Sequence, residues 1–103
     1  MIAVASGSKE ELIVEITDHR GLLSNLASAG PKYEVTDSAG AFLRGDGTYA
    51  NAVGATGSGM TIVSEVDHND AGVPWDAGNY ALYVWFADGT QKIRRGPYWY
   101  KVT

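Results

Sequence analysis

Eight apolar residues follow one another without a break from Tyr80 to Ala87. They differ in kind with a period of two. Tyr80, Leu82, Val84 and Phe86 fall on one side of an extended chain, and Ala81, Tyr83, Trp85 and Ala87 on the other. Side chains of a strand alternate between faces in this way. The run is far short of the ~20 apolar residues that a helix needs to cross a bilayer. It ends at Asp88-Gly89, a hairpin-turn dipeptide, so the chain is expected to fold straight back over Thr90 to Arg95.

The same period recurs along the chain, and no segment sustains a 3.6-residue apolar repeat. In Glu11 to Thr17, Leu12, Val14 and Ile16 share a face. Asp18-His19-Arg20-Gly21 reads as a turn. Leu22 to Ala29 reads as an irregular crossover whose Leu23 and Leu26 plug the core, closed by Gly30-Pro31. Lys32 to Thr36 turns Tyr33 and Val35 inward, Asp37 to Gly40 is a turn, and Ala41 to Arg44 returns. Gly45 to Gly59 reads as a flexible glycine-rich loop with a weak edge strand around Thr48 to Val53. Met60 to Val66 is a strand, Asp67 to Gly72 a polar turn, and Tyr98 to Val102 a last short strand after a break at Gly96-Pro97. About seven short strands separated by turns predict an all-β fold, a single antiparallel sandwich over 11–103 behind a flexible lead-in at 1–10. The expected core is Leu12, Val14, Ile16, Tyr33, Val35, Ile62, Tyr80, Leu82, Val84 and Phe86.

The chemistry that the chain could carry is narrow. At 103 residues there is room for one domain. With no Cys there is no disulfide and no thiol chemistry. The two histidines, His19 and His68, fall in polar turns and read as solvated residues rather than metal ligands. Asp67, Asn69 and Asp70 do not meet the calcium-loop pattern, because Gly72 stands where a ligand belongs and no Glu closes the loop. The glycine-rich stretch has neither a following helix nor a Gly-Lys-Ser/Thr, so it is not a phosphate cradle. No Gly-x-Ser-x-Gly elbow marks a nucleophile. The reading is a non-enzyme with no cofactor, no metal and no small-molecule substrate. A pI near 4.9 and a net charge of -4 argue against nucleic acid. The first residues lack a basic segment and a full apolar segment, so no signal peptide is expected. Synthesis and folding are then expected in a reducing cytoplasm, with no membrane partner.

One local motif is specific. Asp76-Ala77-Gly78-Asn79-Tyr80 has the form Asp-x-Gly-x-Tyr just before the strongest strand. It resembles the tyrosine corner of immunoglobulin-like sandwiches, in which the Tyr hydroxyl turns back onto upstream backbone. That resemblance implies structural roles for Asp76, Gly78 and Tyr80, with the Tyr80 hydroxyl bonded near Val73 to Asp76. Leu82 stands where antibody domains carry a Cys, so the likeness is to disulfide-free members. The order of features extends it: the Asp18 to Gly21 turn, the Leu-Ser-Asn-Leu-Ala-Ser-Ala segment, the Asp37 to Gly40 hairpin, the Gly-x-Tyr strand, the Asp88-Gly89 turn and the closing Gly96-Pro97. Over about residues 11 to 98 this pattern is similar to the small immunoglobulin-like domains of tailed-phage virion proteins, such as the N-terminal domains of baseplate upper proteins. The resemblance implies a structural component of a bacteriophage particle, in capsid, neck, tail or baseplate, that works by docking on other virion proteins or on copies of itself. The glycine-rich loop at 54 to 59 and the basic last strand depart from the family pattern.

Charge and aromatics suggest where docking occurs. Residues 45–91 hold six acids and no Lys or Arg, whereas 92–103 hold four cations and no acid. The candidate surface is Tyr83, Trp85, Lys92, Arg94, Arg95, Tyr98, Trp99 and Lys101, since aromatics and Arg carry protein interfaces. Other readings use the same residues, and the face that holds Tyr83 and Trp85 could simply be covered by a loop. The cations could guard an edge strand, and the rings could form the sugar platform of a carbohydrate-binding module.

Overall fold

In the computed structural model the described residues are 2–17, 19, 24–69 and 75–103. Among them the chain forms strands β1 (Ile2–Val4), β2 (Lys9–Glu15), β3 (Lys32–Asp37), β4 (Phe42–Arg44), β5 (Val53–Gly54), β6 (Thr56–Ser58), β7 (Thr61–Asp67), β8 (Gly78–Asp88) and β9 (Gln91–Val102). One 3-10 turn, Leu26–Ser28, lies between β2 and β3. The larger sheet runs β1-β9-β8-β3-β4, with β5 also paired to β3, and the smaller sheet runs β2-β7-β6. All pairings are antiparallel except β1 with β9. The fold is an all-β sandwich.

The alternation puts one side chain in two between the sheets. All ten residues of the expected core are buried, Val35, Ile62, Val84 and Phe86 completely. Val4, Leu26, Ala29, Val66, Trp75, Tyr100 and Val102 complete it. Leu26 enters from the crossover, whose first turn is capped by Asn25 through a 2.9 Å bond from the Ala27 N–H to Oδ1. That turn lies against β6. A Cβ placed on Gly57 would come within 2.3 Å of the Leu26 carbonyl oxygen, so the close approach needs a glycine. Leu23 and the Asp18 to Gly21 turn, His19 apart, lie outside the described residues, as do residues 70–72 of the polar turn.

The structure departs from the sequence reading in four places. The lead-in expected at 1–10 is instead part of the sheets: β1 pairs with β9 at Ile2↔Tyr100 to Val4↔Val102, and β2 already starts at Lys9. The break expected at Gly96-Pro97 is a bulge within one continuous strand. The register passes from Leu82↔Tyr98 to Val84↔Arg95, leaving Tyr83 opposite both Gly96 and Pro97. Proline has no N–H to give the ladder, and the extra residue absorbs it without ending the strand.

The histidines are not solvated. His68 is 2% exposed. Its Nδ1 lies 3.1 Å from the Ser8 carbonyl, which can only accept, so Nδ1 donates and Nε2 accepts from the Tyr100 hydroxyl at 3.0 Å. His19 Nε2 lies 2.8 Å from Asp88 Oδ2 with both side chains nearly buried. The fourth departure is the glycine-rich loop: the edge strand expected around Thr48 to Val53 is instead β5 (Val53–Gly54) in the larger sheet and β6 (Thr56–Ser58) in the smaller one, and residues 45–49 lie over the outer face of the larger sheet.

Candidate docking surface

The outer face of the larger sheet contains a buried carboxylate. Glu34 on β3 points away from the core, between Tyr33 and Val35, yet it is 0% exposed. An unpaired charge in such a place would cost several kcal/mol, about 3–5 when one partner of a buried pair is removed. Glu34 is therefore fully bonded. Its Oε1 accepts from Arg94 Nε at 3.0 Å and from Trp85 Nε1, and its Oε2 accepts from the Gly47 N–H at 2.6 Å. The Arg94 guanidinium also lies 3.8 Å from the centroid of the Tyr83 ring. Cation and ring together seal the carboxylate from above.

The glycine-rich loop closes the other side. Gly45 has φ +82° and Gly47 φ +87°, and a Cβ on Gly45 would meet Glu34 Oε2 at 2.9 Å. Two residues free of side chains thus let the backbone descend onto the carboxylate. The loop is pinned further along. Asp46 accepts from the Thr48 N–H and hydroxyl and from Asn51, which holds its carboxyl below the usual range. Tyr49 donates to the Gly30 carbonyl at 2.5 Å and meets Trp85 edge-on, with the Lys32 and Lys92 ammonium groups 4.4 and 4.7 Å from its ring centroid.

The candidate residues divide between the two sides of the sheet. Tyr83 and Trp85 lie outward on β8. Arg94 pairs with Trp85 and Lys92 with Ala87, so both share that face. After the bulge Trp99 pairs with Ala81 and Lys101 with Asn79, again outward. Without the extra residue Trp99 would face the core. Arg95 and Tyr98 turn the other way, opposite the buried Val84 and Leu82. The face thus gathers four cations (Lys32, Lys92, Arg94 and Lys101) around Tyr83, Trp85 and the half-exposed Trp99. Phe42, 39% exposed, adds a ring from β4, where it pairs with Thr36. The sequence reading missed Glu34, Lys32 and Tyr49. Nothing local marks them, since their partners lie 13 to 60 residues away.

The corner is present. Tyr80 is 5% exposed, and its hydroxyl donates to the Asp76 carbonyl at 2.5 Å. Gly78 has φ +154°, and the Tyr80 ring packs between Trp75 and Tyr100. Among the described residues no three His, Asp or Glu side chains are grouped as metal ligands would be, and no helix is long and apolar enough to cross a membrane. No family model, no curated protein and no solved structure matches the chain.

Proposed function

We propose that this chain is a non-enzymatic docking domain with an immunoglobulin-like topology, and that it serves as a structural component of a tailed-phage particle. The observation that carries the docking role is the outer face of the larger sheet. There Arg94, held by Glu34, lies among Tyr83, Trp85 and Phe42, with Lys32, Lys92 and Lys101 around them. Rings and an Arg already fixed in place bind with little further loss of side-chain freedom, and surrounding cations steer an acidic partner. The phage assignment rests on the sequence resemblance and on the tyrosine corner that it implied.

The carbohydrate alternative has less support. Arg94 covers the Tyr83 ring and Tyr49 abuts Trp85. Neither ring offers the open flat face on which a sugar stacks.

The test is incorporation into particles. An epitope-tagged chain is produced during phage growth in the source host, and particles are separated from free protein by density. The tag is expected in the particle fraction, and Lys32→Glu with Lys92→Glu is expected to remove it while leaving the folded spectrum intact. A tag that never enters particles overturns the phage assignment. Normal incorporation of the double reversal overturns the choice of face.

A further inference from the structure

β2 is an outer strand of the smaller sheet, and β1 covers the outer edge of β9 only over residues 100–102. Between these two edges runs a groove of about 560 Å³, walled by residues 12–15 of β2 and 97–100 of β9, with Ile2 also lining it. Four large apolar residues are exposed among those described, and three of them line this groove: Ile2 at 56%, Ile13 at 60% and Trp99 at 46%. Singly exposed apolar residues need no explanation, but their convergence on one apolar groove does.

The two sides of the groove differ in charge. β2 holds Glu10, Glu11 and Glu15 against Lys9, and the Lys9 ammonium is already 2.8 Å from Glu65 Oε1. Ile13 lies between Glu11 and Glu15 on the same strand face. On the β9 side the cation beside the groove is Lys101, which shares the face of Trp99, whereas Lys92 and Arg94 lie at Tyr49 and Glu34. An apolar centre with an acidic strand on one side and a lysine on the other is complementary to itself after a half turn. A two-fold axis through the groove would bring each copy's β9 over its neighbour's β2. The apolar centre would supply affinity and the paired rims the register.

We infer that the occupant of this groove is a second copy of the same chain, related by a two-fold axis. Ile13 and Trp99 are buried at its centre, and Lys101 meets the neighbour's Glu11 and Glu15. This contact shares Trp99 and Lys101 with the end of the proposed docking face, does not use Lys32 or Lys92, and closes at two copies.

The test is the oligomeric state of the purified chain, by light scattering and sedimentation across micromolar to millimolar concentration. The expected result is a reversible species of twice the 11.0 kDa chain mass. Ile13→Asp, Lys101→Glu, and Glu11→Lys with Glu15→Lys should each weaken it at least tenfold. Mixing the Lys101→Glu chain with the Glu11→Lys/Glu15→Lys chain should restore a dimer, because the mixed pair is complementary at one rim and natural at the other. A second measurement needs no variant. Amide exchange of the natural chain above and below the dimerisation range should show added protection at residues 11–15 and 97–101.

A chain that stays monomeric overturns the inference. So does growth beyond two copies, a dimer that the substitutions leave unchanged, or added protection elsewhere. None of these outcomes bears on particle incorporation through Lys32 and Lys92, so the two proposals fail separately.

Discussion

Arg94 donates from Nε to the fully buried Glu34 at 3.0 Å, while its own side chain stays about one-third exposed. The pair spans 60 positions of sequence and joins β3 to β9 across the intervening β8. A buried carboxylate that loses its cation keeps the desolvation cost and loses the compensation. Arg94→Ala is therefore expected to lower stability by ~3–5 kcal/mol, discounted toward the lower end because Arg94 is partly solvated. Chemical denaturation at neutral pH reads it. A change within ~0.5 kcal/mol would mean that the pair adds nothing. The same physics makes Arg94 a poor site for probing docking, since its loss would be read as misfolding.

The Tyr80 hydroxyl supports the corner by donating to the Asp76 carbonyl. Tyr80→Phe keeps the ring between Trp75 and Tyr100 and leaves that carbonyl without its donor. The expected loss is ~1–3 kcal/mol, which for a domain of this size lowers the melting temperature by roughly 4–8 °C per kcal/mol. An unchanged melting temperature would remove the hydroxyl from the account of the corner.

Gly57 and Gly54 make a matched pair. A Cβ at Gly57 would meet the Leu26 backbone at 2.3 and 2.5 Å, whereas nothing lies within 4 Å of one at Gly54. Gly57→Ala must displace the crossover turn and is expected to cost ~1–3 kcal/mol or more. Gly54→Ala meets no obstacle and is expected to be neutral or to stabilise by ~0.4–1 kcal/mol. Equal melting temperatures for the two variants would contradict the packing of Leu26 against β6.

His68 links the fold to pH. Burial pushes its pKa below the usual 6.5, outweighing the Ser8 carbonyl and the nearby Glu10 and Asp67, which raise it; Arg44 adds to the lowering. The neutral ring matches its surroundings, with Nδ1 donating to Ser8 and Nε2 accepting from Tyr100. Protonation turns Nε2 into a second donor facing a hydroxyl. With the folded value below the unfolded one, the unfolded chain binds more protons in between. This contribution is complete above about pH 6.5 and is lost as the pH falls through that value towards the folded pKa. Following the His68 ring by NMR should show titration below 6.5, with stability falling over the same range. Titration at or above 6.5 would overturn the assignment.

Much of the fold was legible in the sequence. Ten core positions follow from period-two alternation alone, because a strand's facing is a local property of its own backbone. The Asp37 turn and the Tyr80 corner were legible for the same reason, since each is closed by bonds within five residues. The candidate docking face was legible in part. Tyr83 and Trp85 could be placed opposite the core, but Arg95 and Tyr98 could not be separated from Arg94 and Trp99. One extra residue opposite Tyr83, where Gly96 and Pro97 face a single partner, reverses the facing of everything beyond it.

What the sequence determined by itself is the longer strands β2, β3, β7 and β8, which of their residues turn inward, and the excess of cations at the carboxyl end. What only the tertiary structure decided is where charge is buried and which edges stay open. Glu34 alternates as an outward, solvated residue should. It becomes buried because Gly45, Gly47, Trp85 and Arg94 reach it from three distant segments. His68 reads as a turn residue and is buried because the Ser8 carbonyl and Tyr100 close over it from the two ends of the chain. Alternation is written residue by residue, whereas the burial of a polar group depends on what other segments bring to cover it. That is settled only when the two sheets meet.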